Sequence, residues 1–239
     1  MPGPVRGGGV VNRCVNLGWG VKDVAEELGA LTGLTVKVGN DANVAALGEL
    51  WQGGAKGCTD AVMVTLGTGV GGGVIVDGKI VAGFHGAGGE IGHITVNPDE
   101  IEACNCGQYG CLEQYASATG IVRLAKKKLA STDKATVLNA ETVTAKDVWD
   151  AVKAGDALAV EVANQYGEYL GKGLAAVANT VNPEIFVIGG GVSKAGTVLI
   201  DYMKPFFDKY VFAGAGNAEF ALATLGNDAG IYGAAKMVL

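Results

Sequence analysis

The sequence predicts a mixed α/β fold in which short buried strands alternate with helices. Two apolar runs, at 61–66 and 185–188, have the length and residue content of buried strands, and glycines follow each of them. The segment 157–180 instead places its apolar residues at helical spacing. Hydrophobic residues make up 49% of the 239 positions, which is enough for a substantial core.

The first elements precede the strand at 61–66. Residues 1–20 are rich in glycine and predict a loop, helical spacing covers 22–31, and 35–38 has the content of a short strand. Asn40-Asp41 stands where a helix N-cap is expected, because an alanine- and leucine-rich run extends from 42 to 51.

The middle of the chain predicts a hairpin and then helices. The glycine-rich segment 67–73 predicts a turn, a strand follows at 74–76, and Asp77-Gly78 predicts a tight turn into a strand at 80–81. Helical spacing then predicts helices over 115–130, 145–153 and 157–180.

The last elements begin with the strand at 185–188, which ends in Gly189, Gly190 and Gly191. A helical region reaches residue 210, and we expect Pro205 to bend or break it because proline lacks a backbone N–H. A strand at 220–224 and a helix at 227–238 follow, the helix capped by Asn227-Asp228.

Composition and charge limit the partners and the location that the protein can have. The net charge is −6 and the pI is near 5.0, which argues against a nucleic-acid partner because phosphate binding needs a clustered basic surface. The basic run 126–128 is typical of a solvated helix face. No apolar segment has the length of a membrane span, and the first residues lack the features of a signal peptide. We therefore predict a soluble, cytoplasmic protein without a membrane partner.

Cysteine spacing indicates a metal site. Cys104, Cys106 and Cys111 fall within eight residues, beside glycines that let the chain fold back, and His93 lies eleven residues upstream. Three thiolates and one imidazole are a typical closed, structural zinc site, although ordinary buried thiols are the alternative. Cys14 and Cys58 are isolated, and we interpret them as ordinary thiols.

The segment 67–73 leaves two interpretations open. Its first part fits the dinucleotide-binding pattern G-x-G-x-x-G, but a strand follows where that fingerprint requires a helix. A strand–turn–strand unit can still cradle phosphate through successive backbone N–H groups. A plain glycine hairpin is the alternative.

Carboxylates near these segments also have two interpretations. Asp41 is either a simple part of a helix start or a carboxylate kept ionised by the helix dipole and able to accept a hydroxyl proton. Glu90 and Glu113 flank the cysteine segment and are either surface acids or acceptors for sugar hydroxyls.

Taken in order along the chain, these motifs resemble the ROK family of bacterial sugar kinases and repressors, and most of all its glucokinases. The matching segments are 2–5, Asn16-Leu17-Gly18-Trp19, Asn40-Asp41-Ala42-Asn43, 66–73, Gly89-Glu90-Ile91-Gly92-His93, 104–113 and 188–192. The resemblance implies an actin-like ATPase fold of the ribonuclease H-like type, with two domains. Residues 1–57 would belong to a small N-terminal domain and 58–239 to a large domain with a zinc loop at 93–113. The last helix, 227–238, would pack back on the small domain.

The resemblance also implies the roles of individual residues. Asp41 would be the catalytic base, and Asn40, Glu90, His93 and Glu113 would bind sugar hydroxyls. His93 would also bind zinc together with Cys104, Cys106 and Cys111. Thr68 and Gly69 would contact the phosphates of ATP, which binds with Mg²⁺, and Gly189, Gly190 and Gly191 would pack against the nucleotide.

The expected activity is ATP-dependent phosphorylation of a hexose, with glucose preferred and other hexoses or N-acetylhexosamines as alternatives. Family members begin with an Asp-x-Gly-Gly-Thr phosphate loop, which does not occur in this sequence. We therefore expect a truncated small domain, which puts the activity of this chain in question. A sugar-responsive repressor that lacks its DNA-binding segment is the alternative function. The resemblance further implies a homodimer or homotetramer.

Overall fold

The computed structural model describes residues 1–12, 14 and 17–239 of the chain. Asn16 of the segment that resembles the family therefore lies outside the described residues. The strands are β1 (Val5–Arg6), β2 (Val10–Val11), β3 (Lys22–Asp23), β4 (Ala61–Leu66), β5 (Val70–Val76), β6 (Lys79–Ile80), β7 (Ile185–Gly189) and β8 (Glu219–Leu222). The α-helices are α1 (Val24–Thr32), α2 (Asp41–Gln52), α3 (Glu113–Ala116), α4 (Ala118–Ala130), α5 (Ala145–Lys153), α6 (Ala157–Val181), α7 (Val198–Tyr210) and α8 (Ala229–Val238).

A five-stranded sheet with the order β6-β5-β4-β7-β8 forms the centre of the molecule. β4 pairs in parallel with β7, β7 pairs in parallel with β8, and the hairpin partner β5 is antiparallel to β4. Thr65 on β4 lies opposite Gly71 on one side and Gly189 on the other. This register places the ends of β4 and β7 side by side, at the edge where the predicted glycine turns begin.

Helices cover both faces of this sheet, which explains why β7 is apolar throughout and β4 is apolar except for Thr65. Along β4, Val62, Val64 and Leu66 pack in the large core with α4, α5, α6 and α7, whereas Ala61 and Met63 face the core formed with α2. Successive side chains of a strand point to opposite faces, so a strand buried on both sides is apolar at nearly every position.

Close contact between α2 and α8 depends on two glycines. A Cβ on Gly48 would lie 2.1 Å from the carbonyl oxygen of Ala229, and a Cβ on Gly233 would lie 1.7 Å from that of Val44. The two helix backbones therefore touch directly, and α8 fixes the helix that begins at Asp41.

A separate small core lies near the N-terminus. The strands β1, β2 and β3 form an antiparallel sheet, and five residues, Val5, Val11, Cys14, Val24 and Val38, are buried together beside it. In contrast, Ala46 and Leu47 of α2 pack with Met63 and Val187 of the central sheet. The division of the chain at residue 57 stays a prediction, and hydrophobic packing runs across that position.

Most predicted elements form, including helices at 145–153 and 157–180 and strands at 61–66 and 185–188. The strand predicted at 35–38 is wrong: these residues join no strand ladder, and the backbone N–H of Val38 donates one hydrogen bond to the carbonyl of Gly8. The predicted turn at 67–73 is too long, because β5 begins at Val70.

Two helix predictions need correction. The helix predicted at 115–130 divides at Ser117, whose extended backbone ends α3 and whose side chain caps α4. The region after Gly191 forms a 3₁₀ turn at Val192–Ala195 and then α7, which continues through Pro205. Among the described residues, no helix combines the length and apolarity that a membrane crossing requires.

Candidate functional site

A cleft of about 1000 Å³ opens where β4 and β7 end. Its walls come from segments far apart in sequence: Pro2, Gly3, Pro4, Asp41, Thr65, Gly67, Thr68, Gly69, Val70, Gly71, Glu90, His93, Asn105, Cys106, Glu113 and Gly190. A cleft of this size can hold a drug-sized ligand or two smaller ones.

Asp41 lies at the wall of the cleft because it is the first residue of α2. The side chain of Asn40 caps this helix, accepting hydrogen bonds from the backbone N–H groups of Ala42 and Asn43 at 3.0 and 3.2 Å. The Asn40 amide also donates to the carbonyl of Gly3 at 3.2 Å. Asp41 itself is exposed.

The glycines of β5 allow two other segments to approach this strand. A Cβ on Gly71 would lie 2.6 Å from Thr65 Oγ1 and 3.8 Å from the Cβ of Ala42, next to Asp41. A Cβ on Gly69 would lie 2.3 Å from Glu113 Oε2. The strand therefore brings the start of α2 and the start of α3 to one surface, which is the reason that Asp41 and Glu113 share a cleft.

Glu113 connects this strand to the cysteine loop. Its Oε2 accepts a hydrogen bond from the backbone N–H of Val70 at 3.0 Å. Its Oε1 lies 3.8 Å from Cys104 Sγ, within reach of a thiol hydrogen bond. The carboxylate is thus oriented from two sides and is half-buried.

The four predicted metal ligands lie together. One ligand atom from each of His93, Cys104, Cys106 and Cys111 lies within 4.8 Å of the others. Burial raises the pKa of Cys104 and raises that of Cys111 to about 12, whereas a backbone hydrogen bond from Gln108 lowers the pKa of Cys106. Three thiols and an imidazole at this separation fit a tetrahedral zinc ion, because they are the ligands that structural zinc sites use.

A polar network supports this loop from the side of α4. Arg123 forms ion pairs with Glu100 and Glu102, and Tyr115 donates to Glu100. Burial by itself would raise the pKa of Glu100, but hydrogen bonds from Arg123 and Tyr115 outweigh it and lower this pKa to about 2. Asn97 in turn donates to the Tyr115 hydroxyl at 2.9 Å. The network attaches the segment before Cys104 to the helical core.

Glu90 and His93 reach the cleft from a turn that lies against β5. A Cβ on Gly92 would lie 2.1 Å from the carbonyl oxygen of Val70, so the short 3₁₀ turn Ile91–His93 sits directly on the strand. The preceding turn residue, Gly89, has φ +91°, a conformation that favours glycine. Both Glu90 and His93 are exposed.

The predicted nucleotide glycines lie on the other side of Thr65. Gly190 has φ +86°, and a Cβ there would lie 2.5 Å from the carbonyl oxygen of Leu66, so the turn after β7 passes close to the end of β4. Beyond Gly191 is a second pocket of about 190 Å³, lined by Ala145, Lys146, Trp149, Asp150, Lys153, Gly191, Val192, Lys194 and Ala195. The indole N–H of Trp149 is buried in this region without a hydrogen-bond partner among the described residues.

The structure therefore brings eight predicted site residues to one cleft: Asp41, Thr68, Gly69, Glu90, His93, Cys106, Glu113 and Gly190. Five others are not part of its wall: Asn40, Gly189 and Gly191 lie beside the cleft, and Cys104 and Cys111 lie with His93 and Cys106. All of the predicted roles stay predictions.

Sequence reasoning missed several residues that line the two spaces, among them Thr65, Asn105 and Trp149. Thr65 could have been found as the one polar residue of a strand otherwise apolar. Asn105 stands between two predicted metal ligands, and that position is its signal. Trp149 carries no local signal, because only the packing of α5 near Gly191 brings it there.

Comparisons with known proteins agree with this geometry. The model of the ROK family matches residues 1–239. A glucokinase from Halalkalibacterium halodurans is 46% identical over 235 residues, which cover 96% of this chain and 71% of that protein.

Two solved structures show the range of similar proteins. A ROK family glucokinase from Streptomyces griseus, in complex with glucose and AMPPNP, has a TM-score of 0.81 and 35% identity, covering 98% of this chain and 78% of that chain. A ROK family transcriptional regulator, a homologue of the E. coli MLC protein, has a TM-score of 0.85 and 31% identity, covering 98% of this chain and 59% of that chain. Sugar kinases and regulators therefore both share this fold.

Proposed function

The chain belongs to the ROK family, and we propose that it is a sugar kinase that transfers the γ-phosphoryl group of ATP to the 6-hydroxyl group of glucose. The observation that carries the proposal is the convergence of Asp41, Glu90, His93 and Glu113 on one cleft beside two glycine turns. Similarity to glucokinases over nearly the whole chain supports the same conclusion. An actin-like ATPase fold suits this reaction because sugar and ATP meet in its cleft.

The acid-lined wall binds the sugar in this proposal. Ionised Glu90 and Glu113 accept hydrogen bonds from neighbouring hydroxyl groups, and hydrogen bonds to charged groups are stronger than those between neutral groups. The hydrogen bond from Val70 to Glu113 holds one carboxylate oxygen and leaves the other directed toward the cysteine loop. His93 contributes one imidazole nitrogen to the sugar and the other to the metal.

Asp41 acts as the general base. Its carboxylate accepts the proton of the 6-hydroxyl, the hydroxyl oxygen forms a bond to the γ-phosphorus, and the bond from that phosphorus to the β–γ bridging oxygen breaks, releasing ADP. Phosphoryl transfer depends mainly on positioning and charge stabilisation, so the main requirement on this carboxylate is that it is held in line. The capped start of α2 supplies that fixed position.

The glycine turns hold ATP. Thr68 and Gly69 line the cleft, and backbone N–H groups of such a turn suit phosphate oxygens, with Mg²⁺ accompanying the nucleotide. We place the adenosine part in the second pocket, between Gly191 and α5, because that pocket is small, largely apolar and continuous with the turn after β7. Lys146, Lys153 and Lys194 also line this pocket and add positive charge to it, although Lys146 forms an ion pair with Asp150.

We propose a zinc ion for His93, Cys104, Cys106 and Cys111. When bound, zinc supplies a structural crosslink and favours thiolates over thiols. These ligands belong to the same loop as Asn105, and Cys104 lies against Glu113, so the loop positions sugar-binding groups. One zinc per chain by metal analysis is the expected result.

A coupled assay for glucose 6-phosphate tests the proposal, with Asp41→Asn as the decisive variant. The wild-type chain should form glucose 6-phosphate from glucose and ATP. Loss of the base should lower kcat by roughly 10²- to 10⁴-fold, with glucose binding and the free energy of unfolding little changed. Asp201→Ala is the control, because Asp201 is an exposed acid in the first turn of another helix.

Failure can take two forms. If the wild-type chain neither binds glucose nor forms glucose 6-phosphate, the proposed function is wrong. If Asp41→Asn turns over as fast as the wild type, the assignment of the base is wrong. A panel of hexoses and N-acetylhexosamines in the same assay settles whether glucose is preferred.

A sugar-responsive regulator is the second candidate, favoured by the structural similarity to a transcriptional regulator. That function predicts glucose binding without phosphorylation, in contrast to the kinase. The predicted cytoplasmic location fits the use of ATP as the phosphoryl donor. Light scattering of the purified chain tests the predicted homodimer or homotetramer.

A further inference from the structure

Asn43 has a buried polar atom that the mechanism above does not use. Its side chain is only 4% exposed, and among the described residues its Oδ1 atom has no hydrogen-bond donor. A buried amide oxygen without a donor costs free energy, and nearly all such groups in folded proteins are paired. A donor is therefore expected in the state in which the protein works.

The turn that carries Glu90 lies beside this oxygen. Asn43 Oδ1 lies 3.5 Å from the position that a Cβ on Gly89 would take. The N–H groups of Gly89 and Glu90 donate to no group in the part of the chain that the structure describes. Unpaired donors and an unpaired acceptor thus lie next to each other, a small movement apart.

The two sides of this gap carry different parts of the site. Asn43 lies in the first turn of α2, two residues after Asp41, and its backbone N–H donates to the capping side chain of Asn40. Glu90 lines the same cleft as Asp41 and is exposed, so a bound sugar can draw its turn inward. A hydrogen bond across the gap would join the helix of the base to the turn of the sugar-binding acid.

Building on the proposed function, we propose that Asn43 is a positioning residue for the sugar-binding acid. When sugar binds, Asn43 Oδ1 accepts a hydrogen bond from the N–H of the Gly89-Glu90 turn and fixes Glu90 against the sugar hydroxyls. The bond forms only in the sugar-bound state. Its free energy therefore adds to sugar affinity and not to the stability of the free chain.

Two variants of Asn43 test this separation. Asn43→Ala and Asn43→Leu should each weaken glucose binding by roughly tenfold in calorimetry, the worth of one buried hydrogen bond. The unfolding midpoint of the sugar-free chain should stay the same or rise, because a buried oxygen without a donor has been removed. The increase in unfolding midpoint that glucose causes should therefore be smaller in both variants than in the wild-type chain.

Asn179→Ala is the matched control. The Oδ1 atom of Asn179 accepts a hydrogen bond from the backbone N–H of Phe212 at 2.8 Å, away from the cleft. This variant should lower the unfolding midpoint of the free chain and leave glucose affinity unchanged, the opposite pattern to that of Asn43.

Three results would overturn the inference. Wild-type glucose affinity in both Asn43 variants would refute it and leave the proposed function intact. A loss of stability in the sugar-free variants that matches their loss of affinity would show an ordinary structural role. If the wild-type chain binds no glucose, the proposed function fails and this inference fails with it.

Discussion

Replacing Gly69 by alanine should displace the Glu113 carboxylate and so weaken sugar binding. A Cβ at residue 69 would lie 2.3 Å from Glu113 Oε2 and 3.2 Å from its Cδ. Non-bonded heavy atoms prefer about 3.5 Å or more, so the carboxylate must move away by about 1 Å. The backbone of Gly69 is not left-handed, so alanine itself fits the local conformation.

This movement breaks the 3.0 Å hydrogen bond from the Val70 N–H to Glu113. A hydrogen bond to a charged group contributes about 1.5–3 kcal/mol, so a sugar hydroxyl that depends on the oriented carboxylate should bind roughly 10- to 150-fold more weakly. Glu113 is half-buried, and water can replace part of the lost bond. We therefore expect the free energy of unfolding to fall by at most about 1 kcal/mol.

Calorimetry with glucose and urea unfolding measure the two quantities separately. Glu113→Gln should reproduce the affinity loss, because it removes the charge and keeps the size. Gly230→Ala is the control, since a Cβ there meets no atom within 4 Å and the residue lies on α8. Unchanged glucose affinity in Gly69→Ala would show that the position of Glu113 does not govern sugar binding.

Three further predictions concern stability, pH and metal. Gly233→Ala should destabilise the chain by about 1–3 kcal/mol or more in urea unfolding, because its Cβ would lie 1.7 Å from the Val44 carbonyl oxygen. The pKa of Glu100 is lowered from 4.5 to about 2, so its contribution to stability is present above pH 4.5 and is lost as the pH falls to 2. Arg123→Met should flatten that part of the curve of unfolding free energy against pH. Cys111→Ser should abolish stoichiometric zinc binding in metal analysis, because it removes a buried ligand.

Matched variants accompany these predictions. Gly230→Ala should be neutral or stabilising, because it raises helix propensity without a clash. Lys204→Met removes an exposed ion pair on one helix and should leave the acid dependence nearly unchanged. Cys58→Ser should keep one zinc per chain, because Cys58 is not one of the proposed ligands. Each argument would be contradicted by one result. These results are a Gly233→Ala variant as stable as the wild type, an Arg123→Met variant with an unaltered pH curve, and a Cys111→Ser variant with full zinc content.

The sequence by itself predicts the elements whose signal is local. The apolar runs of β4 and β7 and the helical spacing of α6 are patterns within single segments, and the structure confirms these elements. The signal for the predicted metal ligands, three cysteines and His93, is also local, since it depends on their spacing within one segment of the chain. The family resemblance likewise depends on short motifs, and the family model confirms it over the chain.

Tertiary structure decided what depends on contacts between distant segments. The segment 35–38 has strand-like residues but finds no ladder, whereas the glycines at 71–73, poor strand formers by composition, become part of β5 between β4 and α2. Packing overrides propensity here, because strands need a neighbour and glycine lets a helix approach.

The candidate site shows the same division. Sequence motifs singled out Asp41, Glu90 and Glu113, and the family resemblance implied that they share a sugar site. Only the structure shows the close glycine contacts through which their segments meet at one cleft. The buried oxygen of Asn43 and the indole of Trp149 were invisible in the sequence, because an unpaired polar atom is defined only by the atoms around it. Residue types and spacing determine the available chemistry, and only the packed backbone determines which groups can act together.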